Sequence, residues 1–367
     1  MQSNKSISPK PGVMRIAQYV GGASTVPGVS KIHKLSSNEN PWGASLSAMA
    51  AYEAASSDLA FYPNPDWFEL TVALGEVHTL DPARIVCGAG SDEMIALLCL
   101  GYAGVGDEVL YTEHGFLMYA IYANANGATP VKTAEVDLTA SVDNILAACN
   151  ERTKLVFIAN PNNPTGTVVS SAEIERLAEG IPEHTLLVVD EAYGECIDAL
   201  GHESGLKLVD RRQNVVTTRT FSKIHGLAGL RVGWMYAPQH VVETVNRIRS
   251  PFNVNSGAQA AAVAAIRDRS HVMESAAKTA AAVKRMTAEL GALGVPCTES
   301  HANFVLAEFG TDVKKGAAAA DDFLKSKGVI VRRMEGYGLP GHLRISVGDD
   351  EAMDALIAAV SEFRASA

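Results

Sequence analysis

The sequence predicts an α/β protein of two unequal parts: a large domain on a mostly parallel sheet covered by helices on both faces, and a small α+β C-terminal domain. Three observations carry this. From about residue 84 to 237, short β-branched runs alternate with helical stretches, the order that yields a parallel sheet. The stretch Ser256 to Leu290 is rich in alanine and nearly free of Gly and Pro, which fits long helices leaving the large domain. Beyond it the pattern changes to short strands around a helix.

Taken in order, residues 1–30 carry Gly21-Gly22, Pro27-Gly28 and little periodicity, and read as an extended arm. The large domain spans 31–260, with strands at Arg84-Ile-Val-Cys87, Glu108-Val-Leu-Tyr111, Lys154 to Ala159, Thr185 to Asp190, Asn214 to Thr218 and Val232 to Tyr236. The small domain spans 261–367. Its strands are Ala302 to Ala307, Gly328 to Arg332 and His342 to Val347, with one helix near Asp321 to Ser326 and a last helix from Glu351. A chain of 367 residues exceeds the size at which one core usually stops growing, so two lobes are expected. No internal repeat or low-complexity segment interrupts this order.

Composition narrows the function. A 47% apolar content is that of a globular protein, and a formal charge of -10 without a Lys/Arg cluster argues against a nucleic-acid surface. The N-terminus lacks an apolar stretch of signal-peptide length, and no later run is long enough to span a bilayer, so a cytoplasmic protein is expected. Five cysteines without a C-x-x-C pair suggest neither disulfides nor a zinc site, and ten histidines without H-x-x-x-H spacing suggest no structural metal.

Ligands of such sheets bind beyond the C-terminal strand ends, and four ends finish in polar groups. Val86-Cys-Gly-Ala-Gly-Ser-Asp-Glu93 is a strand, a glycine turn and an apolar helix, which aims free backbone N–H groups at an anion such as phosphate. Half a G-x-G-x-x-G is present, with Glu93 where the third glycine belongs; a plain strand-to-helix turn would look the same. In Ile158-Ala-Asn-Pro-Asn-Asn-Pro-Thr-Gly166 two prolines rigidify a loop that can present an Asn amide, although a surface turn would also fit. In Leu186-Leu-Val-Val-Asp-Glu-Ala-Tyr193 an acid ends a fully apolar strand, either as a cap or as a carboxylate needing a cation or donor. The fourth, Thr217-Thr-Arg-Thr-Phe-Ser-Lys-Ile-His-Gly-Leu-Ala-Gly-Leu-Arg-Val-Gly-Trp234, sets a lysine among hydroxyls and glycines with an arginine eight positions on, which a solvated face does not explain.

With these motifs in this order, from Lys34-Leu-Ser-Ser-Asn-Glu-Asn-Pro-Trp-Gly43 to Leu343-Arg-Ile-Ser-Val-Gly348, nearly the whole chain resembles the fold-type I, class I/II aminotransferases. Among them it is most similar to the histidinol-phosphate aminotransferases. The resemblance implies a seven-stranded-type sheet in the large domain and pyridoxal 5'-phosphate as cofactor. It implies Lys223 as the lysine that bears the cofactor as a Schiff base, Asp190 on the pyridine nitrogen, and Asn163 and Tyr193 on the ring hydroxylate. The turn of Gly90, Ser91 and Asp92, with Ser222 and Arg231, would take the phosphate, Thr220 would be a further cofactor contact, and Tyr62 would reach in from a second subunit of a homodimer. Ring stacking falls to Phe116, where the family commonly has Thr-Tyr or Ser-Tyr and this chain has His114-Gly115-Phe116. Substrate binding falls to Arg332 and Arg344 with Asn163, and Tyr19 of the arm closes over them; Arg333 beside Arg332 leaves that choice open.

The chemistry agrees with these roles. Removing a proton from the Cα of an amino acid requires an electron-accepting ring, which Asp190 would keep protonated while Lys223 acts as acid and base. Arg344 suits a carboxylate or phosphate through two parallel bonds. The expected reaction moves an amino group from histidinol phosphate to 2-oxoglutarate, the alternatives being an aromatic aminotransferase and, further off, a phosphothreonine-type decarboxylase. A nicotinamide dehydrogenase built on Gly88-Ala-Gly90 leaves Asp190, Lys223 and Arg231 unexplained, and a ligand-sensing domain would not need every cofactor contact.

Overall fold

The computed structural model describes residues 7–18, 21, 23–198 and 201–366. Its main sheet has seven strands: β1 Ile85–Gly88, β2 Glu108–Thr112, β3 Thr129–Thr133, β4 Thr153–Ala159, β5 Leu186–Asp190, β6 Val215–Thr220 and β7 Gly233–Tyr236. They lie in the order β1-β7-β6-β5-β4-β2-β3. Strands β2 to β6 pair in parallel, and β7 runs antiparallel to both β6 and β1. The central strands β4 and β5 are almost wholly buried apolar runs, as a sheet covered on both faces requires. Each fully buried Val or Leu there contributes about 1.5–3 kcal/mol.

Strand β3 leaves no signal in the alternation because Pro130 and Lys132 break its apolar run. It sits at the sheet edge, where a missing N–H and a charge are tolerated and discourage further pairing. Register aligns the ends that matter: Ala159 lies opposite Asp190, and Asp190 opposite Thr218. The ends of β4, β5 and β6 therefore open onto one place.

The helices used below are α1 Leu46–Ala55, α2 Phe68–His78, α3 Ser91–Tyr102, α4 Leu117–Asn126, α5 Ser256–Arg267, α6 Arg269–Ala292, α7 Ala317–Ser326 and α8 Asp350–Ser366. A second sheet, β8 Phe304–Glu308, β9 Arg332–Arg333 and β10 His342–Ser346, is antiparallel in the order β8-β10-β9. Its core joins β8 and β10 to α6, α7 and α8 through Met286, Leu290, Leu324, Leu356 and Val360.

Packing draws the division between the parts differently from the sequence expectation of 260. Ala258, Ala261, Ala262, Ala265 and Ile266 of α5 are buried in the main core, and the chain leaves it at Asp268, whose side chain accepts from His271 N and caps α6. Residues 33–35, expected in the large domain, join the small one: His33–Lys34 pairs in parallel with Val329–Ile330, and Leu35 is buried in the second core. The described part of the arm contains one turn of 3-10 helix, Val13–Arg15, fixed to α4 by Arg15 Nε donating to Asn124 Oδ1 at 3.1 Å.

Candidate active site

At the end of β1 the chain turns through Gly90, with φ 88°, straight into α3. A Cβ at Gly90 would meet Arg231 Nη2 at 2.6 Å, so glycine is what lets the guanidinium close over this helix start. Arg231 Nη1 donates to Ser222 Oγ and to Ala228 O, each at 3.2 Å, and its Nη2 lies 3.4 Å from Asp92 Oδ2. Free N–H groups of the first turn of α3, the hydroxyls of Ser91, Thr220 and Ser222, and this half-exposed guanidinium form a cradle for an anion. Burial holds the Asp92 carboxyl above its ordinary range, with Arg231 and Lys223 opposing. Glu93, at the place of a third glycine, braces the turn: its Oε2 accepts from Ala89 N at 2.6 Å and from Asn253 Nδ2 at 2.8 Å.

Asp190, the last residue of β5, is 4% exposed. Its Oδ1 accepts from Thr218 Oγ1 at 3.1 Å and its Oδ2 from Tyr119 OH at 2.7 Å. Burial raises its pKa to about 6, while Tyr119, Thr218 and the Ala192 N–H hold it down. Alternation along β5 sends the next acid elsewhere: Glu191 meets Arg219 at 2.7 Å, with both side chains buried. Tyr193 OH accepts from Asn38 Nδ2 at 2.8 Å, which leaves its own proton to donate.

Lys223 follows β6 in the loop that reaches Arg231. Its Nζ lies 3.4 Å from Ser37 O and 5.7 Å from the centre of the Tyr193 ring. Burial lowers its pKa to about 8, helped by Arg344 and Arg231 and opposed by Asp92 and Glu39. Phe116 precedes α4 and packs edge-on against Tyr119 at 5.8 Å. Lys223, Asp190 and the cradle line a cavity of about 260 Å³. A neighbouring cavity of about 170 Å³ shares Ser37, Phe116, Asn163, Tyr193 and Lys223 with it, so the two form one cleft.

The second cavity brings in Arg332 and Arg344, which face each other across β9 and β10. Arg344 Nη1 donates to Asn163 Oδ1 at 2.6 Å and Nη2 to Ser36 O at 2.9 Å, while its buried Nε meets no protein acceptor. Arg333 instead pairs with Glu335, and of the two neighbours it is Arg332 that lines this cavity. Thus the cleft gathers every residue expected for cofactor or substrate except three. Gly90 shapes the cradle without lining it; Tyr62 is 82% exposed, stacked on Phe252 at 4.6 Å; Tyr19 lies outside the described residues.

Sequence reasoning missed Tyr119, Asn38 and Tyr337. Tyr119 lies in the first turn of α4, three positions after Phe116, and meets it edge-on. Asn38, with φ 55° and 1% exposed, donates its N–H to Ser346 Oγ and accepts from Asn303 Nδ2, so it ties both parts of the molecule to Tyr193. Tyr337, in the turn after β9, helps line the second cavity. Among the described residues no group of three or more His, Cys, Asp or Glu is placed to hold a metal ion, and no helix is long and apolar enough to cross a membrane.

Comparison with known proteins supplies the family. The chain is 54% identical over 361 residues to the histidinol-phosphate aminotransferase of Dinoroseobacter shibae, covering 98% of this chain and 99% of that one. It is 53% identical to the enzyme of the same name from a Ruegeria species, with the same coverage. The crystal structure of histidinol-phosphate aminotransferase from Sinorhizobium meliloti in complex with pyridoxal-5'-phosphate superposes with a TM-score of 0.90 at 28% identity, over 99% of this chain and 100% of that one. Residues 30–360 match the family described as aminotransferase class I and II, and the chain belongs to that family.

Proposed function

We propose that the chain is a pyridoxal-phosphate-dependent aminotransferase moving an amino group from histidinol phosphate to 2-oxoglutarate. The observation that carries this reading is a pairing in one cleft: a lysine amine with its pKa lowered to about 8, and a buried carboxylate bonded only by neutral donors. A desolvated carboxylate without a protein cation suits a protonated ring nitrogen brought by a ligand. The residues fit the cofactor throughout. The cradle would take its phosphate, Asp190 its ring nitrogen, Asn163 and Tyr193 its ring hydroxylate, Phe116 a ring face, and Lys223 its covalent attachment. When bound, the cofactor supplies the electron-accepting ring that makes loss of a proton from Cα possible.

The chain's own groups do the rest. As the free amine, Lys223 Nζ takes the proton from the donor's Cα, and its lowered pKa keeps a useful share of that amine unprotonated near neutrality. Arg344, fixed by Asn163 and Ser36, presents its unpartnered Nε to the substrate's anion, and Arg332 approaches from the facing strand. Histidinol phosphate has no carboxylate, so its phosphate takes that place; glutamate offers a carboxylate there in the second half-reaction. The names of the two close relatives support this donor.

The active unit in this reading is a homodimer with shared sites. Leu46, Leu59, Phe61, Tyr62 and Phe68 are each at least 65% exposed on one stretch of chain, an apolar set that a second copy would cover, bringing Tyr62 to the neighbour's phosphate. A panel of amino donors with 2-oxoglutarate, read as kcat/KM, tests the substrate. Histidinol phosphate should lead. Phenylalanine or tyrosine in first place would make this an aromatic aminotransferase, and carbon dioxide release would make it a decarboxylase.

A further inference from the structure

Tyr119 has no part in the reading above, yet its hydroxyl is 2.7 Å from Asp190 Oδ2. The ring is fully buried, stacked on Phe157 at 4.6 Å and 7°, with Tyr111 and Phe116 against it edge-on at 6.4 and 5.8 Å. Three aromatic rings thus hold one phenol in place against one carboxylate oxygen. Phe116 immediately precedes α4 and Tyr119 lies in its first turn, so the entry to this helix places both the ring proposed for the cofactor's face and the partner of Asp190.

We infer that Tyr119 is a positioning residue: its single O–H···O bond fixes the direction and the charge of the Asp190 carboxylate and so keeps the shared proton on the cofactor's ring nitrogen. The inference rests on the assignment of Asp190 to that nitrogen. An ionised carboxylate can only accept, so the phenol donates. Burial and the Asp190 charge raise the Tyr119 pKa well above the ordinary value, and the phenol keeps its proton over the working range. The donated bond stabilises the anion, and among the groups opposing the burial of Asp190 it is the largest. Without it the carboxylate becomes the stronger base, and a proton shared with the cofactor's ring nitrogen would move toward the carboxylate. Other titratable groups acting here are Asp92 from α3, Tyr193 beyond β5 and Tyr337 beyond β9.

Tyr119→Phe removes one oxygen and leaves the aromatic packing in place. The test is ¹⁵N NMR of the holoenzyme loaded with ring-labelled pyridoxal phosphate, together with steady-state kinetics and thermal unfolding. In the wild type the nitrogen should be protonated at neutral pH. In Tyr119→Phe its shift should move toward that of the unprotonated ring, and kcat should fall about tenfold with KM within about twofold, as for one lost charge-assisted hydrogen bond. Replacing Tyr119 by 3-fluorotyrosine, a more acidic phenol, should move the shift the opposite way, and this arm stands even if the phenylalanine variant folds poorly. Unchanged shifts in both variants, with a protonated wild type, would overturn the role of Tyr119. An unprotonated nitrogen in the wild type would overturn the Asp190 assignment itself.

Discussion

Asp190 and Glu191 are consecutive acids at one strand end, buried to the same degree, yet their surroundings differ in kind. Glu191 is complete within the protein: Arg219 donates to its Oε2 at 2.7 and 3.0 Å, Ser204 Oγ to the same oxygen at 2.6 Å, and Gly205 N to Oε1 at 2.6 Å. Arg219 also meets Asp198 at 2.9 Å and Glu195 at 3.5 Å. Asp190 has two hydroxyls and a backbone N–H but no cation among its hydrogen-bond donors. An acid that burial has desolvated and the protein has not neutralised is one whose counter-charge arrives with a ligand. The acid next to it, already paired, serves the architecture by tying β5 to β6 and to the loop around Ser204.

This contrast predicts opposite phenotypes for isosteric changes at neighbouring positions. Asp190→Asn should keep the fold and the cofactor but lower kcat by more than two decades, roughly 2.7 kcal/mol of barrier or more, because an amide cannot hold the ring nitrogen protonated. A near-normal single-turnover rate would break the comparison on that side. Glu191→Gln should show its loss in denaturant unfolding instead, by about 2 kcal/mol. That is below the roughly 3–5 kcal/mol of a fully broken buried pair, because Asp198 and Glu195 still face Arg219. Loss of turnover without loss of stability would place Glu191 among the reacting groups.

The smallest effect expected is a pH dependence. In the cofactor-free protein, acylation of Lys223 should rise as its amine deprotonates and level off above about pH 8, where an ordinary exposed lysine would keep rising toward 10.5. The sign follows from the lowered pKa: burial, Arg344 and Arg231 all disfavour the ammonium, so the reactive form is reached at lower pH. A plateau at ordinary lysine pH would mean that the cleft is wetter than its geometry implies.

What was legible in the chain separates along the same line. Lys223 and Arg231 stood out because a solvated face does not explain a lysine among hydroxyls and glycines with an arginine eight positions on; Asp190 and Asn163 also fitted a cap and a surface turn, and the family resemblance singled them out. Tyr119 was not legible, since an aromatic in an apolar helix reads as core, and only the folded structure shows its hydroxyl meeting an acid. Arg332 and Arg333 look alike in sequence; strand pairing puts the first opposite Arg344 and leaves the second to Glu335. Edge strand β3 was hidden by Pro130 and Lys132, and the division at Asp268 by an alanine-rich stretch whose first helix packs on one core while the next serves the other.

Borohydride reduction of the purified holoenzyme, followed by peptide mapping, tests the central claim most directly. The enzyme should be yellow, should bleach on reduction, and should carry the pyridoxyl phosphate group on the peptide containing Lys223, with Lys223→Ala losing both the adduct and turnover. A stable adduct on any other lysine, or an active Lys223→Ala variant, would contradict the account.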